Sequence, residues 1–261
     1  MLFLEGISSF IIGVFFGSFL GVLVDRIHIG ESIVKGRSHC DFCKKELSPL
    51  DLIPLLSFIY LNGKCRYCKH KLSLHYPLIE LTTGLFFAFN AFYFLSNSFD
   101  LQSLINFLFG VTISCGAIIV FFTDLRFGII PDKILMALFI LSLIFMLSKA
   151  PGSILIHILS AVFGGGFFLL IFLLTRGKGM GFGDVKFSFL IGFILGFPSF
   201  VLSFYLAFLT GATLSIILIL WGKKRLRSDT IPFGPFLTLG FLIAFYFSNQ
   251  ITGRLLPFLL F

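Results

Sequence analysis

Eight unbroken apolar runs of helical length constrain this chain more than any other feature. They lie at about 7–25, 77–96, 103–122, 134–148, 154–174, 187–197, 200–221 and 233–249. In lipid every backbone N–H and C=O must be paired internally, so such runs become helices or close into a barrel. Barrel strands are short and alternate apolar with polar residues, and these runs do not alternate. A span takes roughly 20 residues, about 17 at the short end, which leaves 134–148 and 187–197 short. Each can extend into its preceding polar loop. Otherwise 187–221 is one element kinked at Pro198, and the chain crosses seven times rather than eight. The expectation is an all-α polytopic membrane protein with about eight transmembrane helices. Composition agrees: of 261 residues 57% are hydrophobic, 12% are charged and 39 are Phe, too apolar for a soluble domain.

Basic residues orient the spans. With eight spans and the N-terminus outside, the inner loops are 26–76, 123–133, 175–186 and 222–232, and they hold 18 of the 20 Lys and Arg residues. The outer segments hold Lys149 and Arg254. Cytoplasmic loops carry the Lys/Arg excess, so the long 26–76 segment is expected in the cytoplasm. The net charge of +8 then belongs to span ends that meet the bilayer. No basic face interleaved with aromatics points to nucleic acid. The opening Met-Leu-Phe-Leu-Glu lacks a basic leader segment, so the first run reads as a retained span. The chain divides into a first transmembrane helix (1–25), a cytoplasmic module (26–76) and a membrane core (77–261).

The module carries Cys40-x-x-Cys43 and, after 21 intervening residues, Cys65-x-x-Cys68. Each pair presents two thiolates to one tetrahedral ion, and the two pairs close a four-sulfur shell with no open position. The expected cofactor is a structural zinc. Disulfides are the rival, disfavoured in a reducing cytoplasm. Some 50 residues with few apolar runs also need the folding free energy that a metal supplies. His39, His70 and His75 read as surface residues, and Cys115, inside an apolar run, as packing.

Two acids stand at the inner rim of different spans. Asp124 follows the run at 103–122, and Asp184 ends the glycine-rich loop Gly177-Lys-Gly179-Met-Gly181-Phe-Gly183-Asp184. A carboxylate at the edge of a membrane helix is costly and marks a functional site. Two at one depth can share a proton, one activating water and the other donating to a carbonyl or leaving amine. Asp132, just after Pro131, reads as a helix-start acid rather than the second catalytic group. No Ser-His or Cys-His set competes, since His28 and His157 are isolated. Gly164-Gly165-Gly166 within a run reads as a close-packing stripe. The other reading of the acid pair is a transporter's proton relay, with the cysteines as a metal module.

These pieces come in a recognisable order. They are Gly17-Ser18-Phe19-Leu20, the two Cys-x-x-Cys pairs, Asp51-x-Ile53-Pro54, Tyr76-Pro77-x-x-Glu80-Leu81, Asp124 with Ile130-Pro131-Asp132, Gly179-Met-Gly181-x-Gly183-Asp184-Val-Lys186, and Ile231-Pro-Phe-Gly-Pro-Phe236. Across nearly its whole length the chain resembles the bacterial type IV prepilin peptidases, membrane aspartyl proteases of pilus and type II secretion systems. The resemblance implies that Asp124 and Asp184 are the catalytic acids. It implies endopeptidase cleavage of the short basic leaders of prepilins and pseudopilins at the cytoplasmic face of the inner membrane. Members with the cysteine loop also methylate the new N-terminus from S-adenosylmethionine, and Glu80 and Gly84 resemble residues near that second site. Asp25-Arg26-Ile27-His28 and Leu74-His75 depart from the family's usual pattern.

Overall fold

The computed structural model describes residues 2–30, 38–40, 42–96, 99–221 and 232–259. Lys35, Arg37, Asp41, Lys223, Lys224, Arg225, Arg227 and Ile231, all used in the charge or motif arguments above, lie outside them. The described residues are almost entirely helical. In order they form α1 (Leu2–Ile29), a 3-10 turn (Pro49–Leu52), α2 (Leu56–Tyr60), α3 (His75–Leu95) and α4 (Leu101–Phe127). Then follow α5 (Asp132–Lys149), a second 3-10 turn (Pro151–Ser153), α6 (Ile154–Leu174), α7 (Phe182–Leu195), α8 (Ser199–Leu220) and α9 (Gly234–Leu259). The described residues contain no strand, and eight of the helices coincide with the eight apolar runs. Among the described residues five segments are long and apolar enough to cross a membrane: Glu5–His28, His75–Leu95, Leu101–Phe127, Pro151–Leu174 and Ser199–Leu220. The two short runs did extend into their polar loops. The helix α7 still has only 14 residues, about 21 Å at about 1.5 Å per residue, and it is separate from α8. Gly196, at φ +68°, ends it, and Pro198 precedes the next helix.

The chain forms two compact units, Met1–Phe122 and Thr123–Phe261. In the first, α1 and α3 pack along a glycine seam. Gly13 lies against Phe87, Gly17 against the backbone of Glu80, and Gly84 against Val14 and Phe10. Glycines four residues apart let two helix backbones approach closely, and that contact replaces the hydrophobic drive that lipid removes. At one end of the seam the Tyr76 hydroxyl donates to Asp25 (2.6 Å). His75 is buried beside that pair, its Nε2 3.4 Å from Asp25, so it is no surface residue. Asn90 of α3 donates to the Ser114 hydroxyl of α4 (3.3 Å), joining the two inside the unit.

In the second unit α7 is the central helix, its middle buried among α5, α6, α8 and α9. Close approach again rests on small residues. Gly192 of α7 faces the backbone of Ser160 and Ala161 in α6, Gly164 faces the Ser188 carbonyl, and Gly165 faces Phe189. The glycine stripe of 164–166 is thus a packing device at its first two positions, while Gly166 meets nothing within 4 Å. His157, isolated in sequence, donates from Nδ1 to the Phe193 carbonyl (2.8 Å). It pairs one of the carbonyls that the end of α7 leaves open.

The two glycine environments give a paired prediction. Gly192→Ala forces a methyl into the α6 backbone and is expected to destabilise by about 1–3 kcal/mol. Gly166→Ala is expected to be neutral or to stabilise by about 0.4–1 kcal/mol, because only backbone entropy changes. Thermal unfolding of the detergent-solubilised variants, followed by circular dichroism, checks both.

Candidate active site and metal centre

Asp124 lies in the last turn of α4. That helix stops at Gly128, which sits at φ +65° and donates its N–H to the Asp124 carbonyl (2.9 Å). A left-handed glycine is the usual helix terminator, and it leaves the Asp124 side chain free to turn to another element. Its Oδ2 accepts the backbone N–H of Gly234, the first residue of α9 (2.8 Å). The fit is tight. A Cβ at Gly234 would lie 2.5 Å from Asp124 Oδ2, so only glycine lets the chain pass.

Asp184 lies in the first turn of α7. Its Oδ2 accepts the Gly181 N–H (3.2 Å), a side chain reaching back over the helix start as in half of a capping box. Gly183 is pressed against Ile130, which a Cβ there would approach to 3.0 Å. Gly181 has ordinary extended dihedrals and room for a side chain, so this signature glycine is less constrained than Gly183. Both acids are 6% exposed, and their elements meet where Gly183, beside Asp184, presses on Ile130, just past the Gly128 turn that ends the helix of Asp124. The structure therefore brings the two sequence-predicted acids into one site. Asp184 Oδ1 is buried with no hydrogen-bond partner among the described residues. A buried acceptor left open is rare and needs an explanation, and a water or a substrate N–H would complete it.

Asp132 sits in the first turn of α5 and is mostly exposed. Both its oxygens take Lys186 Nζ, at 2.7 and 2.8 Å. Lys186 follows Asp184 by two residues, so this ion pair fastens the start of α5 to the start of α7. Asp132 is a brace. Gly234 is the residue whose role sequence reasoning missed: its motif was noted, but no local signal marks a backbone N–H as the partner of a carboxylate 110 residues away.

The second site is the cysteine module. Its two halves repeat one turn. Lys44 and Cys40, and equally Lys69 and Cys65, are joined from N–H to carbonyl at 2.8 and 3.0 Å. Lys44 and Lys69 take the same left-handed φ, 56° and 59°. All four sulfurs lie within 4.8 Å of one another, with Cys40 and Cys68 Sγ 3.9 Å apart. A tetrahedral ion with metal–sulfur distances of about 2.3 Å has an edge of about 3.8 Å, whereas a disulfide needs about 2.05 Å. The four cysteines are free and their spacing suits a metal.

Their charge balance points the same way. Burial opposes ionisation of Cys65, but the Cys68 and Tyr67 N–H groups and the adjacent thiols lower its pKa to about 7. At Cys68 the His70 N–H lowers it, yet burial and the three neighbouring cysteines push it up to about 11. The first thiolate forms readily and later ones do not, unless a cation compensates them. Asp51 steadies the module. Burial would raise its pKa, but hydrogen bonds from Arg66 and Ser48 and the Arg66 charge outweigh this and hold it below the usual range. Arg66 Nε lies 2.5 Å away, and the Ser48 N–H and hydroxyl lie at 3.1 and 2.9 Å.

Two family models match the chain. One is described as the bacterial peptidase A24 N-terminal domain, over residues 11–94, and the other as the type IV leader peptidase family, over residues 111–216. A prepilin leader peptidase/N-methyltransferase of Bacillus subtilis is 34% identical, over 93% of this chain and 94% of the relative. The chain belongs to the type IV leader peptidase family. Relatives in this family with the same name include one from Pseudomonas aeruginosa, 30% identical over 97% of this chain and 93% of its own length. Another, from Aeromonas hydrophila, is 30% identical over 83% and 73%. No solved structure matches significantly. For the leader peptidase family, the first model covers the cysteine module and the second covers both acids.

The metal assignment is directly measurable. Elemental analysis of the purified protein is expected to find about one metal ion per chain, and a Cys40→Ser, Cys65→Ser variant is expected to lose it. Equal metal content in the two would remove the four-sulfur site.

Proposed function

We propose that this chain is a membrane aspartyl endopeptidase that removes the short basic leaders of type IV prepilins and pseudopilins. What carries the reading is the pair of buried carboxyl groups of Asp124 and Asp184, in a chain of the leader peptidase family. Two carboxyl groups in one poorly hydrated site share a proton and act as a unit. The ionised member takes a proton from water as that water attacks the scissile carbonyl. The protonated member gives its proton to the carbonyl oxygen; the member that took the proton from water then passes it to the departing amine, and the collapsing gem-diol returns a proton to the first. The open Oδ1 of Asp184 is where a water or substrate group fits. A transporter's proton relay would also use paired acids, but family membership favours hydrolysis.

By function we divide the chain into the first helix (1–25), the metal module (26–76) and the acid-bearing membrane core (77–261). The Lys/Arg asymmetry supports an N-terminus outside the bacterial inner membrane, with the module and the acids at its cytoplasmic face. Zinc is the metal best suited to Cys40, Cys43, Cys65 and Cys68. Four sulfurs leave it no open position, so its part is to hold the module folded. The relatives' names also support N-methylation of the new N-terminus, for which S-adenosylmethionine supplies the methyl group.

Asp124→Asn and Asp184→Asn are each expected to abolish leader cleavage while the protein still inserts, read as prepilin size on a gel. Retained cleavage in either removes that residue from the pair. Gly234→Ala, which keeps both acids but displaces Asp124, is expected to lower the cleavage rate at least about tenfold, since misplacement by about 1 Å can cost about a hundredfold.

A further inference from the structure

The cysteine module carries an apolar face that is left uncovered among the described residues. In α2, Leu56, Ile59 and Tyr60 recur at the spacing of one helix face and are 66%, 69% and 79% exposed. Leu50, in the preceding 3-10 turn, is exposed as well. The opposite side of α2 faces inward. Ser57 and Phe58 line a cavity together with Ser18 of α1 and Glu80 of α3, and Phe58 lies against Gly63. An apolar patch of this kind marks a contact with a membrane or a protein.

Its level along the helices decides between the two. The N–H of Leu55, at the start of α2, donates to Glu80 Oε2 (2.8 Å), and the Ser18 hydroxyl hydrogen-bonds the same carboxylate. The helix α2 is thus fastened to the α1–α3 pair where Gly17 meets the Glu80 backbone. Ser18 lies about two turns before Asp25, or about 10 Å along α1 at about 1.5 Å per residue. Asp25 is the first charged residue on α1 after Glu5, and charges stay out of the hydrocarbon, so the bilayer surface at this end stands near Asp25. At the level of Ser18 and Glu80 the outward side chains of the pair are apolar: Phe19, Leu78 and Leu81 are exposed there. In a membrane protein these face lipid.

We propose that α2 lies in the bilayer, at the boundary between headgroups and acyl chains, with Leu50, Leu56, Ile59 and Tyr60 against lipid. The module is then held to the membrane by its own surface as well as by its connections to α1 and α3. Interfacial helices bury their apolar face about 5–10 Å into this boundary. The anchor at Leu55 falls in that range, because the Glu80 side chain leans back toward the start of α3 and so holds α2 somewhat shallower than Ser18. Tyr60 suits the place, since tyrosine rings gather at the membrane–water interface. Past α2 the chain turns at Asn62 and Gly63, both left-handed. Lys64 and Lys71 then stand opposite each other and exposed, two cations suited to anionic headgroups. A soluble partner does not reach a face at the depth of Phe19 and Leu81, so the occupant is lipid.

The test reads tryptophan fluorescence from the full-length, metal-loaded protein, a single chain in each nanodisc, on a Trp221→Phe background. Ile59→Trp and Tyr60→Trp each place the probe on the outer face and leave the inner face of α2 as it is. Phe19→Trp supplies the signal of a side chain that faces lipid. The nanodiscs contain phosphatidylcholine and phosphatidylglycerol, either plain, or brominated close to the headgroup, or brominated near the chain ends. Ile59→Trp and Tyr60→Trp are expected to emit at shorter wavelength than tryptophan in water. Each is expected to lose at least about half its intensity to the shallow bromine and less to the deep one, as a residue about 5–10 Å into the boundary does. Emission as in water, unquenched while Phe19→Trp is quenched, overturns the proposal. So does a short-wavelength emission that neither bromine quenches, which means that protein and not lipid covers the face. Bound metal per chain, equal to wild type, shows that the module is folded in each variant.

Discussion

A carboxyl group inside a helical membrane protein persists where backbone donors reach it, and the second unit is built around two such encounters. Asp124 takes its hydrogen bond from the first N–H of α9, and Asp184 takes its own from the N–H that precedes α7. Both donors belong to helix N-termini, whose unpaired N–H groups carry partial positive charge and favour an anion by about 0.3–1 kcal/mol, more when partly buried. Three helix ends therefore meet where the chemistry needs negative charge. The C-terminal end of α4 is fixed by Gly128. The start of α7 is held by the Asp132–Lys186 ion pair, and the start of α9 is held by Asp124 itself.

Glycine makes these encounters possible, for a reason that differs by position. At Gly234 and Gly183 the glycine lets something else come near: a carboxylate in one case and an isoleucine in the other. At Gly192 and Gly17 it lets a whole neighbouring helix come near. Lipid gives apolar side chains no reason to leave it, so helices associate through surfaces that touch closely. The precision of the acid pair depends on that contact. The helix α7 can hold Asp184 in place because α6 grips its far half through Gly192, Gly164 and Gly165.

Much of this was legible beforehand, because membrane helices are written as long apolar runs and charged residues stand out against them. Asp124 and Asp184 could be paired from sequence alone, since each ended or began a span. The cysteine cluster was equally plain from spacing. Other features were hidden by the nature of their partners. The donor to Asp124 is a backbone group, and so is the donor to Glu80, and a peptide N–H leaves no mark in a sequence. His75 was misjudged as a surface residue because a histidine's surroundings are set by helices far along the chain: it packs beside Asp25. The Gly13, Gly17 and Gly21 spacing on α1 was a readable signal. It is the small-residue pattern of a tight helix pair, and it went unread until Gly13 and Gly17 were seen against α3.

The shortness of α7 bears on how water reaches the site. Its 14 residues reach about 21 Å, against a hydrocarbon layer of about 30 Å. Because α5, α6, α8 and α9 enclose α7, its shortfall of roughly 9 Å is met by protein rather than by lipid. Irregular backbone such as the glycine-rich approach to Asp184 is tolerated at membrane depth only in such a protein-lined place. For a hydrolase this is useful, because the reaction consumes water at a place that lipid would otherwise keep dry. A short central helix thus gives the chemistry a wet foothold without exposing a ragged helix end to lipid.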